Sequence, residues 1–167
     1  MLIRPAELDD AAALMEIYNP VVLTSTATFD LVPRDLPQQR AWIADRSGAR
    51  VVLVAVDDDG SDGGTITGFA ALSPYRDRAA YATTVEDSVY VHADHQGRGI
   101  GRRLLDALVD TARAHGFHAV MARIVADHEA SIALHTACGF EVVGHEREVG
   151  RKFGRWLDVT LMERLLG

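Results

Sequence analysis

The residues with the clearest chemical consequence are Gln96-Gly97-Arg98-Gly99-Ile100-Gly101. Alternating glycines keep side chains off the backbone. Where such a run opens a helix, successive N–H groups can approach an anion at the positive end of the helix dipole. Arg98, Arg102 and Arg103 add cations within one turn, and guanidinium groups suit bidentate contact with phosphate oxygens. A pyrophosphate fits this pattern. The third glycine comes one residue too early for the dinucleotide fingerprint, and the Lys-Ser/Thr ending of a triphosphate loop is absent. Taken by itself, the segment also reads as a tight strand-to-helix turn with exposed arginines.

Proton-handling groups lie nearby in sequence. Glu86 falls on the polar face of an alternating strand that leads into the glycines. A partly buried carboxylate there would have its pKa raised toward the working range of a general base; its structural alternative is an exposed strand glutamate. His135 can titrate near neutrality and act as acid or base, or simply make a structural hydrogen bond. Arg76 and Arg78, in Pro74-Tyr75-Arg76-Asp77-Arg78, can grip anionic oxygens or sit in a solvated turn. Phe29 and Tyr81 read as core packing when taken alone. His92 and His95 carry no HExxH pattern and no cysteine set, so no metal is expected. The single Cys138 reads as a small buried residue at a helix end.

The elements that must hold these residues follow from periodicity. Leu2 to Arg4 reads as a strand, and Leu8 to Tyr18 has apolar residues on one helix face until Asn19-Pro20 interrupts it. Thr24 to Pro33 reads as a loop and Asp35 to Arg46 as a second helix. Val51 to Val56 is a β-branched run expected to be covered on both faces, joined by an acidic turn, Asp57 to Gly64, to a strand from Thr65 to Leu72 as a hairpin. Thr83 to His92 is a strand with Val85, Val89 and Val91 on one face and Thr84, Glu86, Ser88 and Tyr90 on the other. Ile100, Leu104, Leu105, Leu108, Val109 and Ala112 mark a helix ended by His115-Gly116. A strand over Ala119 to Ala126, a helix over Glu129 to Cys138, and strands over Phe140 to His145 and Trp156 to Met162 complete the chain. This order implies one α/β domain over residues 1–167, a mixed twisted sheet with helices on both faces.

Bulk properties narrow the partners. A formal net charge of −7 opposes broad binding of nucleic-acid backbones. No apolar run approaches the roughly 20 residues needed to span a bilayer, and the N-terminus turns acidic where a signal peptide would turn apolar. With one cysteine no internal disulfide forms. A cytoplasmic protein, without membrane or nucleic-acid partners, is expected.

Val89-Tyr90-Val91 followed by Gln96 to Gly101 resembles the acetyl-coenzyme A motif of the GNAT acetyltransferase superfamily. Ala130-Ser131-Ile132-Ala133-Leu134-His135 and Gly139-Phe140 look like its second signature, and the element order matches its fold. The resemblance implies acetyl-coenzyme A as co-substrate, held by Val89, Tyr90, Val91, Gln96, Gly97, Arg98, Gly99, Ile100, Gly101, Arg102, His128 and Ser131. A backbone N–H around Val89 to Val91 would face the thioester oxygen. His128 is a departure, since relatives usually carry asparagine there.

Thr83 to Val91 and Lys152 to Val159 further resemble the phosphinothricin and methionine sulfoximine N-acetyltransferases. That implies transfer to the primary amine of a small glutamate-like amino acid, with Glu86 as base, His135 as a second acid or base, Phe29 and Tyr81 as walls, and Arg76 and Arg78 gripping substrate oxygens. It also implies a homodimer formed in part by Gly150 to Asp158. Other acceptors (a polyamine, an aminoglycoside, a protein N-terminus) and a non-catalytic acyl-coenzyme A binding module are the competing readings.

Overall fold

In the computed structural model, residues 1–57, 60 and 63–167 are described. The elements are β1 (Leu2–Pro5), α1 (Ala11–Thr24), α2 (Leu36–Ala44), β2 (Val52–Asp57), β3 (Thr65–Pro74), β4 (Thr84–Val91), α3 (Ile100–Ala114), β5 (Ala119–Val125), α4 (Glu129–Ala137), β6 (Glu141–Lys152) and β7 (Arg155–Leu165). Single 3-10 turns lie at Leu8–Asp10, Ala79–Tyr81 and Ala93–His95. All strands join one seven-stranded sheet in the order β1-β2-β3-β4-β5-β7-β6, and its one parallel contact is β4 with β5. The mixed α/β architecture expected from the sequence is present. Residues 58, 59, 61 and 62 of the expected Asp57–Gly64 turn lie outside the described residues, but β2 and β3 do pair antiparallel.

Helices cover both faces because the strands bury side chains on both. On one face Val85, Val120, Ala122 and Ile124 pack against Leu104, Leu105 and Leu108 of α3. On the other, Val52, Val54, Phe69 and Ala71 pack against Leu14, Ile17, Tyr18 and Val22 of α1 and Ile43 of α2. β2 is accordingly buried along Val52 to Val56. α2 starts on a capping box between Asp35 and Gln38, the side chain of each accepting from the other's backbone N–H, which satisfies otherwise orphaned groups.

Two expectations about element ends need correction. Leu8 to Asp10 is a 3-10 turn, and α1 does not break at Asn19-Pro20 but continues through Pro20 to Thr24. Pro20 removes the N–H that would bond Glu16, but it lies on the exposed side of the helix while Ile17, Tyr18 and Val22 remain buried. Burial of that stripe outweighs the missing bond. Thr24 Oγ1 donates to the Pro20 carbonyl at 2.7 Å, and Asn19 exchanges two hydrogen bonds with the Arg34 backbone. The last strands are also longer than expected. β6 and β7 close a hairpin at Phe153-Gly154, whose φ values of 51° and 73° are those of a tight turn matched to strand twist. The charged segment Gly150 to Asp158, which breaks simple alternation, is therefore mostly strand.

Candidate active site

The parallel β4–β5 ladder sets the site's position. Pairing runs from Thr84↔Ala119 to Glu86↔Met121 and stops, although β4 continues to Val91 and β5 to Val125. Beyond that rung the strands part. β4 is still paired to β3 through Gly68↔Val91, so its other edge, from Ser88 onward, keeps backbone groups unspent in the sheet. A cleft of about 890 Å³ passes through this gap, lined by residues from both faces, including Ile17 and Thr28 on the α1 side and Leu134 and His135 on the α4 side.

At one end lies the glycine turn. Gly97 and Gly99 have φ of 73° and 76°, a left-handed conformation that disfavours L side chains. Gly99 is the residue before α3, and the first helical bond runs from Arg103 N–H to the Gly99 carbonyl at 3.2 Å. The N–H groups of Ile100, Gly101 and Arg102 thus precede the helical ladder. A Cβ at Gly97 or Gly99 would meet nothing within 4 Å, whereas at Gly101 it would approach Leu134 Cδ2 at 3.2 Å. The turn is open toward the cleft and close-packed behind. This geometry fits a pyrophosphate at a helix N-terminus.

The arginines do not converge on it. Arg98 turns back to the Asp94 carbonyl at 3.1 Å and does not line the cleft, and Arg103 bonds the Met1 carbonyl at 3.1 Å. Arg102 does line the cleft. Gln96, Gly97, Gly99, Ile100, Gly101, Val89, Tyr90 and Val91 line it as well, as do Ser131 and the exposed His128, which stands at the N-cap of α4. Gln96 Nε2 donates to the Val91 carbonyl at 3.3 Å, tying the turn to the strand end. His92 and His95 also face the cleft.

At the other end stands Glu86, half-buried and lining the cleft. Burial holds its pKa above the ordinary carboxylate value, opposed by the positive charges of Arg123 and Arg76 and reinforced by the negative charges of Asp87 and Glu146. Phe29 and Thr28 line the same region. Their loop is pinned from two sides: Tyr18 OH pairs with Thr28 Oγ1 at 2.9 Å, and the buried Lys152 Nζ donates to the Thr28 carbonyl at 2.9 Å. The Phe29 ring lies where a Cβ on Gly150 would be. Arg76, Arg78 and Tyr81 do not line the cleft. Arg76 is fully exposed, stacked over Tyr75 at 5.0 Å and near Tyr81 at 5.8 Å.

His135 occupies a different environment from Glu86. Because adjacent strand residues point to opposite faces, it meets Asp87 on the α4 side. Its Nε2 is 2.9 Å from Asp87 Oδ2 and its Nδ1 is 2.7 Å from the Ser131 carbonyl. Both partners are acceptors, so both ring nitrogens donate and the imidazole is positively charged. Burial alone would lower its pKa, but the Asp87 hydrogen bond and charge, with the Ser131 carbonyl, raise it above the ordinary histidine value. Asp87 Oδ1 is buried with no hydrogen-bond partner.

Asp87 and Arg123 escaped the sequence reading. Each has a signal in hindsight: a carboxylate among valines on a helix-covered face, and an arginine within the apolar run Ala119 to Val125. Cys138 is buried in the core, its thiol pushed up to about 11 chiefly by burial, so it is not an activated nucleophile. Among the described residues no group of three or more His, Cys, Asp or Glu is gathered to hold a metal. No helix among them is long and apolar enough to cross a membrane.

A strand that parts from its parallel neighbour and runs into a glycine turn at a helix start leaves an open strand edge beside a helix N-terminus. The chain belongs to the acetyltransferase (GNAT) family, which matches residues 13–140. It is 41% identical over 166 residues to the phosphinothricin N-acetyltransferase of Streptomyces coelicolor, covering 98% of this chain and 95% of that protein. It is 39% identical over 161 residues to the L-methionine sulfoximine/L-methionine sulfone acetyltransferase of Pseudomonas aeruginosa, covering 96% and 92%. Among solved structures, a putative acetyltransferase from Salmonella typhimurium with its cofactor acetyl-CoA superposes with a TM-score of 0.93 at 42% identity, covering 100% of this chain and 94% of that one. The GNAT fold expected from the sequence is the fold of the chain.

Proposed function

We propose that this enzyme transfers the acetyl group of acetyl-coenzyme A directly to the primary amine of a small glutamate-like amino acid, of the phosphinothricin or methionine sulfoximine class, with Glu86 as general base. The observation that carries the reading is Glu86 itself: a half-buried carboxyl with a raised pKa, facing the cleft beside the opened β4 edge. The substrate class rests on the named activities of the relatives.

Bound acetyl-coenzyme A supplies an activated acetyl thioester. The glycine turn and the start of α3 receive its pyrophosphate, and the free edge of β4 from Ser88 onward offers N–H groups to its arm and to the charge developing on the thioester oxygen. The amine must be neutral to attack. Glu86 takes its proton directly or through water, the amine nitrogen bonds to the acetyl carbon, and the C–S bond breaks with its electron pair on sulfur. The second proton shed by the nitrogen as the amide forms passes to the departing thiolate to give the thiol. No acyl-enzyme is formed, in keeping with the protonated, buried Cys138.

His135 has no free lone pair in the charged form, so it does not take the amine proton. It contributes positive charge and holds α4 to β4. The enzyme acts in the cytoplasm as a homodimer, whose interface uses the hairpin that exposes Val149, Phe153 and Trp156. A thiol-release assay with acetyl-coenzyme A across amino-acid analogues tests the reading. Phosphinothricin and methionine sulfone should be turned over and spermidine or an aminoglycoside should not; turnover of the polycations alone would overturn it.

A further inference from the structure

The cations expected to select the acceptor, Arg76 and Arg78, stand outside the cleft wall, whereas Arg123 is part of it. Its position follows from register. Glu86 and Met121 form the last rung between β4 and β5, so Arg123, two residues on, shares the Glu86 face and lies across the gap from the level of Ser88. Arg123 therefore overhangs the point where an amine meeting Glu86 must sit. The positive charge of Arg123 opposes the burial that raises the Glu86 pKa.

Arg123 has one carboxylate partner among the described residues. Its Nη2 donates to Glu146 Oε2 at 2.7 Å, leaving the Nε and Nη1 edge for a second acceptor. Glu146 reaches it across β7: Arg123 is paired with Leu161 and Glu146 with Val159. Leu161 faces Gly144, and its side chain lies over that glycine, Cδ1 being 3.3 Å from where a Cβ would stand. Glu146 lies between the two register irregularities of β6, at Val142/Gly144 and at Glu146/Gly150. Both side chains are only partly screened, at 32% and 26% exposure. The pair resembles a receptor for an oxyanion that is already half-occupied by one.

We propose that Arg123 receives an oxyanion of the acceptor amino acid, its carboxylate or an anionic side group, and so determines acceptor selectivity, with Glu146 as the resident competitor. This rests on the reading that the acceptor sits beside Glu86. The charges that act on Glu86 are Arg123 from β5, Glu146 from β6, Arg76 from the exposed β3–β4 connection and Asp87 from the opposite face of its own strand. Glu146 and Arg123 act on it with opposite sign.

The test compares wild type, Arg123→Gln, Arg123→Lys and Glu146→Gln with three acceptors: phosphinothricin, methionine sulfone, and the carboxylate-free amine 3-(methylsulfonyl)propylamine. For Arg123→Gln, kcat/KM falls about ten- to a hundred-fold for acceptors bearing the recognised anion, the range of a lost charge-assisted hydrogen bond, while the KM for acetyl-coenzyme A is unchanged. Loss with phosphinothricin alone assigns the side group; loss with both amino acids assigns the carboxylate. Arg123→Lys retains part of the selectivity. Glu146→Gln moves kcat/KM for the same acceptors upward, because it removes the competitor, and moves the acid limb of the pH profile downward where Arg123→Gln moves it upward.

Equal effects on all three acceptors, or Arg123→Gln and Glu146→Gln changing kcat/KM in the same direction, would overturn the proposal and leave a structural ion pair. The readouts separate this inference from the assignment of the base. Acceptor ratios at one pH do not depend on which group takes the proton, whereas failure of Glu86 as base appears as undiminished turnover in Glu86→Gln with those ratios intact.

Discussion

Replacing Asp87 by Asn should reverse the sign of one contribution to the pH dependence of stability. The side chains of His135 and Asp87 are 5% and 1% exposed and 2.9 Å apart, so solvent screens their interaction little. In the wild type the folded-state pKa of His135 is raised above 6.5. The pair's contribution is therefore fully present below pH 6.5 and is lost as pH rises through the folded value.

In Asp87→Asn the amide donates to Nε2 while Nδ1–H still donates to the Ser131 carbonyl, and the imidazole is held neutral. Burial then lowers the folded pKa, so the variant loses stability as pH falls below that of the unfolded histidine. Every tenfold difference in proton affinity between the folded and unfolded imidazole is worth about 1.4 kcal/mol. Truncation to Ala, which leaves a buried group unpaired, should cost about 3–5 kcal/mol near neutral pH, and the Asn variant less. The assay is urea unfolding from about pH 6 to 9, plotted as variant minus wild type so that other titrations cancel. A difference that rises with pH supports the charged imidazole; a flat or falling one refutes it.

Gly99→Val should weaken acetyl-coenzyme A about tenfold or more by forcing a β-branched residue toward a φ of 76°, with about 1–2 kcal/mol of backbone cost. An added Cβ has no protein neighbour within 4 Å, so the chain should stay folded, and normal affinity by calorimetry would contradict the cradle. Gly150→Ala places a methyl group in the Phe29 ring. It should raise the acceptor KM without changing that for acetyl-coenzyme A and lower stability by about 1–3 kcal/mol. Unchanged steady-state kinetics would show that Phe29 does not shape the acceptor end.

Most of the architecture was legible because burial imposes periodicity. The stripe from Ile100 to Ala112 is buried as its spacing implies, and the positive φ of Gly97, Gly99, Gly116 and Gly139 falls where glycines mark element ends. Pro20 misled because local propensity is outweighed by tertiary burial of Ile17, Tyr18 and Val22. The Gly150–Asp158 strands were obscured by a register irregularity and a turn entered through a non-glycine residue, Phe153.

The site was less legible. Glu86 could be read from strand alternation. The divergence of Arg98, Arg102 and Arg103 depends on which neighbours capture each long side chain. The partnership of Asp87 with His135 and of Arg123 with Glu146 spans 48 and 23 residues in sequence, and no local pattern encodes such contacts.

The central claim, a carboxylate base in the cleft, is tested most directly by kcat/KM for phosphinothricin against pH in the wild type and Glu86→Gln. The wild type should show an acid limb above the ordinary glutamate pKa of 4.5. The variant should lose that limb, keep only the ionisation of the amine itself, and fall about 10²- to 10⁴-fold with acetyl-coenzyme A affinity intact. A Glu86→Gln enzyme with the wild-type limb and a rate within a few-fold of wild type would contradict the account.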